Sequence, residues 1–226
     1  MPRIFTTLLI TCIMAAIGFS STLQAASIRF LPLDEEIAAR KLSFRGTKKA
    51  TKIKDLSAQK RSAPYPFTSG KTSVELIVLD RETPNGKPTT LSIALPPKIA
   101  APLILILPDP AAPTGLRALA VEDSGTGFPW GSLRLVNTTG APLSFSYNGE
   151  IKQIPETCDA LDILPGGVTR NMGAQLFRPE DPNAMLYSAV WEHDPNIRKL
   201  IFILSGADPQ SLILKIIPED KRSKKK

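Results

Sequence analysis

The stretch from Phe128 to Asn148 constrains the fold most. Leu133, Leu135 and Asn137 alternate with Arg134 and Val136, and Leu143, Phe145 and Tyr147 alternate with Ser144 and Ser146. A two-residue period is the mark of half-buried strands. Between the two runs Thr139-Gly140-Ala141-Pro142 breaks the pattern, and Asn148-Gly149 supplies a hairpin turn. The reading is an antiparallel meander with one wet face and one dry face.

The same grammar recurs along the chain. Ser27 to Leu33 opens with Ile28 and Phe30 on one face, and short strands are expected at Leu42 to Phe44 and at Ile53 to Leu56. Val74 to Leu79 turns through Thr83-Pro84-Asn85-Gly86 towards Leu91, Ile93 and Leu95. Pro102 to Pro108 is an unbroken apolar run closed by prolines, which suits a central strand buried on both faces. Leu116 to Val121, Ile151 to Ile154, Leu161 to Leu164, Met185 to Trp191, Leu200 to Leu204 and Leu212 to Ile217 follow as strands, while Val168 to Phe177 fits neither period cleanly. With 21 prolines and no amphipathic helix, the chain is expected to be all-β, an antiparallel β-sandwich of roughly a dozen short strands. No internal repeat of fixed period is visible.

Met1 to Ala26 has Arg3 as its only charge, an apolar run from Leu8 to Phe19 and small residues through Ala25 and Ala26, the composition of a secretory signal peptide. Its apolar run is shorter than the roughly 20 residues of a membrane span. The expected organisation is therefore a signal peptide over 1–26, basic strands at a sheet edge over 27–62, a main sandwich over 63–218 and a disordered basic tail over 219–226. Cys12 reads as an ordinary leader residue, which leaves Cys158 unpaired in the mature chain. The net charge of +7 is concentrated at the ends, with nine basic residues against Asp55 between Arg40 and Ser62 and five more from Lys221 to Lys226. No aromatic residues interleave with these lysines, so nucleic acid is not expected as a partner. An envelope protein or a polysaccharide is.

Chemistry-bearing candidates are few. His193 is the only histidine, and its neighbours Glu192 and Asp194 do not by themselves make a ligand set, because adjacent strand residues point to opposite faces. Cys158 lies among Glu156, Asp159 and Asp162, which disfavour a thiolate. Asp159 and Asp162 would support a hydrolase only if they converged in a cleft. Ser124-Gly125-Thr126-Gly127 lacks the lysine of a phosphate loop. No cofactor, metal site or catalytic residue is expected. Trp130, Tyr147, Tyr187 and Trp191 are the aromatics able to form a ligand-stacking face, which would suit a carbohydrate or envelope polymer.

At Trp191-Glu192-His193-Asp194-Pro195-Asn196-Ile197-Arg198-Lys199-Leu200-Ile201-Phe202 and at Leu107-Pro108-Asp109-Pro110 the chain resembles a family of uncharacterised exported bacterial proteins. The segments from Lys60 to Gly70 and from Gly131 to Asn137 are similar as well. The resemblance implies an exported β-rich protein and carries no activity or catalytic residue. The leading expectation is a non-catalytic structural or interaction module at the cell envelope, exported to a periplasmic or extracellular location.

Overall fold

The computed structural model describes residues 26–68, 70–97, 99–208 and 211–225, so the expected signal peptide lies almost wholly outside the described residues. The fold is all-β and sandwich-like, as expected, with sixteen strands among the described residues. They are β1 (Ser27–Pro32), β2 (Leu42–Arg45), β3 (Thr51–Lys52), β4 (Tyr65–Pro66), β5 (Ser73–Glu82), β6 (Pro88–Ala94), β7 (Pro102–Pro108) and β8 (Leu116–Glu122). After a linker come β9 (Leu133–Asn137), β10 (Leu143–Tyr147), β11 (Glu150–Ile154), β12 (Ala160–Ile163), β13 (Arg170–Arg178), β14 (Asp181–His193), β15 (Ile197–Ser205) and β16 (Leu212–Asp220). The one α-helical turn among the described residues, α1 (Glu35–Ala38), starts where the Asp34 carboxylate accepts the Ile37 amide proton at 2.8 Å.

Four four-stranded sheets result, ordered β4-β1-β7-β8, β3-β2-β5-β6, β12-β9-β15-β16 and β11-β10-β13-β14. Adding eight to each strand number of the first two sheets gives the other two. Even the parallel pairings correspond, β1 with β7 and β9 with β15. The chain is thus two sandwiches of one topology in tandem. Residues follow the duplication: Ser27-Ile28-Arg29-Phe30-Leu31 matches Ser132-Leu133-Arg134-Leu135-Val136, Leu42-Ser43-Phe44 matches Leu143-Ser144-Phe145, and Leu103 to Leu107 matches Leu200 to Leu204. Loops of unequal length shift the spacing between matching segments, which hides any fixed period.

Each sandwich has its own core. Ile28, Phe30, Phe44, Leu76 and Ile104 fill the first; Leu135, Phe145, Leu176, Trp191 and Ile201 fill the second. A third apolar layer joins them, with Leu31, Leu103 and Leu105 meeting Val136, Leu200 and Phe202 around Phe128. This layer explains the unbroken apolar run at Pro102–Pro108. Alternate residues of β7 face the first core and the seam, so no face of the strand is left for polar side chains.

Several expectations change. The strands at 133–137 and 143–147 exist but do not form a meander: β9 pairs with β12 and β15, and β10 with β11 and β13. The reason is that β9 is buried along its whole length, between the second core and the seam, so it has no wet face. Asn137 holds the arch between the sheets by accepting from the Thr139 amide at 3.0 Å and donating to the Ala141 carbonyl at 2.7 Å. The hairpin at Asn148-Gly149 is present, both residues having positive φ. Within 27–62 only β3 lies at a sheet edge, while β1 and β2 are interior strands. Nor are residues 219–226 a disordered tail throughout: Glu219 and Asp220 end β16, and a 3₁₀ helix covers Lys221–Lys225. There Arg222 binds Asp220 at 2.7 Å and Asp194 at 3.0 Å.

Candidate functional site

Among the described residues the seam between the sandwiches concentrates buried polar chemistry, and the second sandwich has an open edge. At the seam the linker leaving β8 is pinned by two arginines of the second sandwich. Arg198, 2% exposed, donates to the Phe128 carbonyl at 2.6 Å and to Glu219 at 2.7 Å, and lies 3.5 Å from Asp123. Arg134 donates to the carbonyls of Glu122 and Gly127 and grips Asp162 with both arms, at 2.6 and 2.5 Å. The Phe128 ring sits between the two guanidiniums, at 4.6 and 4.8 Å. Arg61 closes the group with a bidentate pair to Asp123 at 2.9 and 3.1 Å. Gly131 completes the linker: its φ of +80° strains any other residue, and a Cβ there would lie a tight 3.1 Å from Pro195 Cα.

The four aromatic candidates do not share a groove. Tyr147, Tyr187 and Trp191 belong to the second core, where the Trp191 indole donates to the Tyr187 hydroxyl at 2.9 Å and the Tyr147 hydroxyl donates to Met172 Sδ at 2.8 Å. Phe145 stacks between Tyr147 and Trp191 with ring centroids 5.7 and 5.6 Å away. Trp130 is half-buried at the seam, 4.9 Å from Arg198. Core packing accounts for the alternation that suggested a stacking face. The two hydrolase candidates are engaged apart, Asp162 with Arg134 and Asp159 with Thr157 at 2.8 Å. Cys158 is half-buried against the seam layer. Among the described residues no group of three histidine, cysteine or carboxylate side chains could hold a metal ion.

His193 ends β14 opposite Arg170, and its Nε2 is buried without a hydrogen-bond partner. Burial, followed by the positive charges of Arg170 and Lys199, holds its pKa below that of a free imidazole. The folded protein therefore binds this proton less readily than the unfolded chain, so the stability difference falls as pH drops through the unfolded value of about 6.5 towards the lower folded one. Replacing His193 with Gln is expected to flatten that part of the stability profile. Urea midpoints of the two proteins measured between pH 8 and pH 5 check it; parallel profiles would contradict the assignment.

The open edge emerges from comparing the two sandwiches. In the first, β6 and β8 pack against one another across the side of the sandwich. Ala118 and Ala120 of β8 allow this close approach. Strand pairing makes Leu214 and Ile216 of β16 their counterparts, and these longer side chains keep β14 and β16 from a comparable approach. Leu186, Tyr187, Ala189, Leu212, Leu214 and Ile216 are partly buried against the second core, as Leu91, Ala118 and Ala120 are against the first, but their apolar side chains are larger. β14 is the longest strand, is the last in its sheet, and carries no charge from Ala184 to Trp191. Edge strands are ordinarily protected by charges or prolines, and this stretch has neither. Val190 is 69% exposed on it. A pocket of about 120 Å³ adjoins the edge, between Leu143, Leu186 and Leu212 with Arg178 at its rim.

No protein-family model matches the chain, and no curated protein does. Among solved structures, one similar chain is a candidate cell adhesion protein from Bacteroides uniformis, 10% identical, with a TM-score of 0.23 over 88% of this chain and 99% of that one. Among the described residues no helix is long and apolar enough to cross a membrane.

Proposed function

We propose that this chain is an exported, non-catalytic interaction module of the cell envelope, and that it receives an extended strand of a partner protein along β14. The single observation behind this reading is the uncharged edge from Ala184 to Trp191, beside a strip of partly buried apolar side chains, where the first sandwich instead brings β6 against β8. Strand addition uses such an edge in two ways. The unpaired backbone groups supply affinity, and alternate side chains of the incoming strand fill apolar positions beside it. An apolar, uncharged segment is the matching partner chemistry. The leader-like residues 1–26 support export.

Affinity capture of the tagged mature protein from envelope extract tests the reading when run beside the double variant S188K/V190K. Both positions are exposed, so the variant is expected to change stability by no more than about 0.5 kcal/mol. It should nevertheless lose the captured partner, because lysines on an edge strand oppose pairing. Retention of the wild-type partner at high salt, and by a variant lacking residues 221–226, is also expected. A partner held equally by S188K/V190K would contradict strand addition at β14, and one released by salt and tail removal would assign binding to the basic tail instead.

A further inference from the structure

We propose that the seam contains a binding site for a small oxyanion, a phosphate or carboxylate group, centred on the Arg29 guanidinium. The charges at this point do not balance. Arg29, Arg61 and Arg198 face two carboxylates, Asp123 and Glu219. Arg61 takes Asp123 bidentately and Arg198 takes Glu219 at 2.6 Å, which leaves Arg29 only distant contacts, 3.9 Å to Asp123 and 3.8 Å to Glu219. Its side chain is 29% exposed, enough to meet a ligand and too little for full hydration.

The duplication shows what is missing. Arg29 of β1 corresponds to Arg134 of β9, and Arg134 has a carboxylate of its own, Asp162, directly opposite on β12. In the first sandwich Ser27 pairs with Pro66 and Ile28 with Tyr65, and continuing that register sets Pro64 opposite Arg29. The second arginine has a carboxylate directly opposite it; the first only shares Asp123 and Glu219, at longer range, with Arg61 and Arg198. In front of Arg29 lies a pocket of about 170 Å³ bounded by Lys60, Arg61, Ser62, Pro218 and Glu219. That is below the ~300–1,000 Å³ of sites that enclose whole drug-sized ligands, and suits a single anionic group. A planar guanidinium fork with a lysine beside it matches tetrahedral or planar oxyanions. Glu219 on the wall disfavours multiply charged anions that would approach it, so a group bound end-on to Arg29 and Lys60 is the form that fits.

Titration of the mature protein with inorganic phosphate at constant ionic strength, with chloride as control and thermal unfolding as readout, tests the site. The expected result is a saturable rise in Tm with phosphate, weakened at least tenfold in apparent affinity by Arg29→Gln. In chloride buffer without phosphate the same substitution is expected to leave Tm unchanged or raise it, because it leaves two of the three cations facing the two carboxylates. Vesicles containing phosphatidic acid distinguish the source. Arg29-dependent binding to them without a response to inorganic phosphate identifies a lipid phosphomonoester, and a response to inorganic phosphate alone identifies a free anion. A phosphate effect equal to that of chloride with no Arg29-dependent vesicle binding, or binding indifferent to Arg29→Gln, would overturn the proposal.

Discussion

Replacing Arg198 with alanine is expected to cost about 3–5 kcal/mol, the usual penalty for removing one partner of a buried ion pair. For a chain of this size that corresponds to a fall in Tm of roughly 6–20 °C. The loss has three sources in the structure. Glu219 loses its close counter-ion, the Phe128 carbonyl loses a 2.6 Å hydrogen bond, and the Phe128 ring loses one of its two flanking guanidiniums. Arg198→Lys should recover little, since an ammonium cannot reach Glu219, Asp123 and the linker carbonyls as one planar fork does. A double-mutant cycle with Glu219→Gln gives a second reading: the two changes together should destabilise less than the sum of each alone. Thermal and urea unfolding of the four proteins measure both. A single-variant loss below 1 kcal/mol, or strict additivity, would mean that the seam is not held by this network.

Phe128→Ala is expected to have an effect of similar size, about 3–5 kcal/mol, from lost burial and the cavity left behind. Phe128 is 1% exposed and is the linker's only contribution to the apolar seam layer. Its removal should also free the linker itself, since the Arg134 and Arg198 bonds to the carbonyls of Gly127 and Phe128 depend on that segment lying flat across the seam. Limited proteolysis therefore separates the two consequences: Phe128→Ala should be cleaved between residues 123 and 132 faster than wild type, yielding two fragments that keep strand structure. Phe128→Leu should lose less than about 1.5 kcal/mol and resist cleavage. Cleavage of Phe128→Ala elsewhere, inside either sandwich, would contradict the linker account.

Strands were legible in the sequence where one face is wet, and the double-sided run at Pro102–Pro108 was legible from its length and its prolines. What the pattern could not show was which strands pair. Leu133 to Asn137 has the alternation of a half-buried strand, yet Arg134 is itself buried because it serves the seam, so a polar residue at the expected solvent position was in fact an interior ion-pair partner. The same ambiguity hid the duplication. Its clearest identities, Leu-Ser-Phe at 42–44 and 143–145, are ordinary strand residues, and only the matching strand order gives them meaning. Three of the aromatic candidates meet in the second core for a related reason: period two places Tyr187 and Trp191 on one face without saying that the face is the core. The open edge at β14 left a trace that sequence reasoning did not use, the absence of charge from Ala184 to Trp191, but its significance depends on β14 being the last strand of its sheet and on Leu214 and Ile216 standing where the first sandwich has alanines.

The duplication supplies the control for the most direct test of strand addition. Ser188 on β14 and Ser92 on β6 occupy matching, exposed positions in the two sandwiches. A photo-crosslinking residue placed at each in turn, in cells exporting the protein, reads which edge meets a partner. The account predicts a discrete protein adduct from position 188, lost when Val190→Lys is added, and none from position 92. Adducts of equal yield from both positions, or an adduct at 188 unaffected by Val190→Lys, would contradict it.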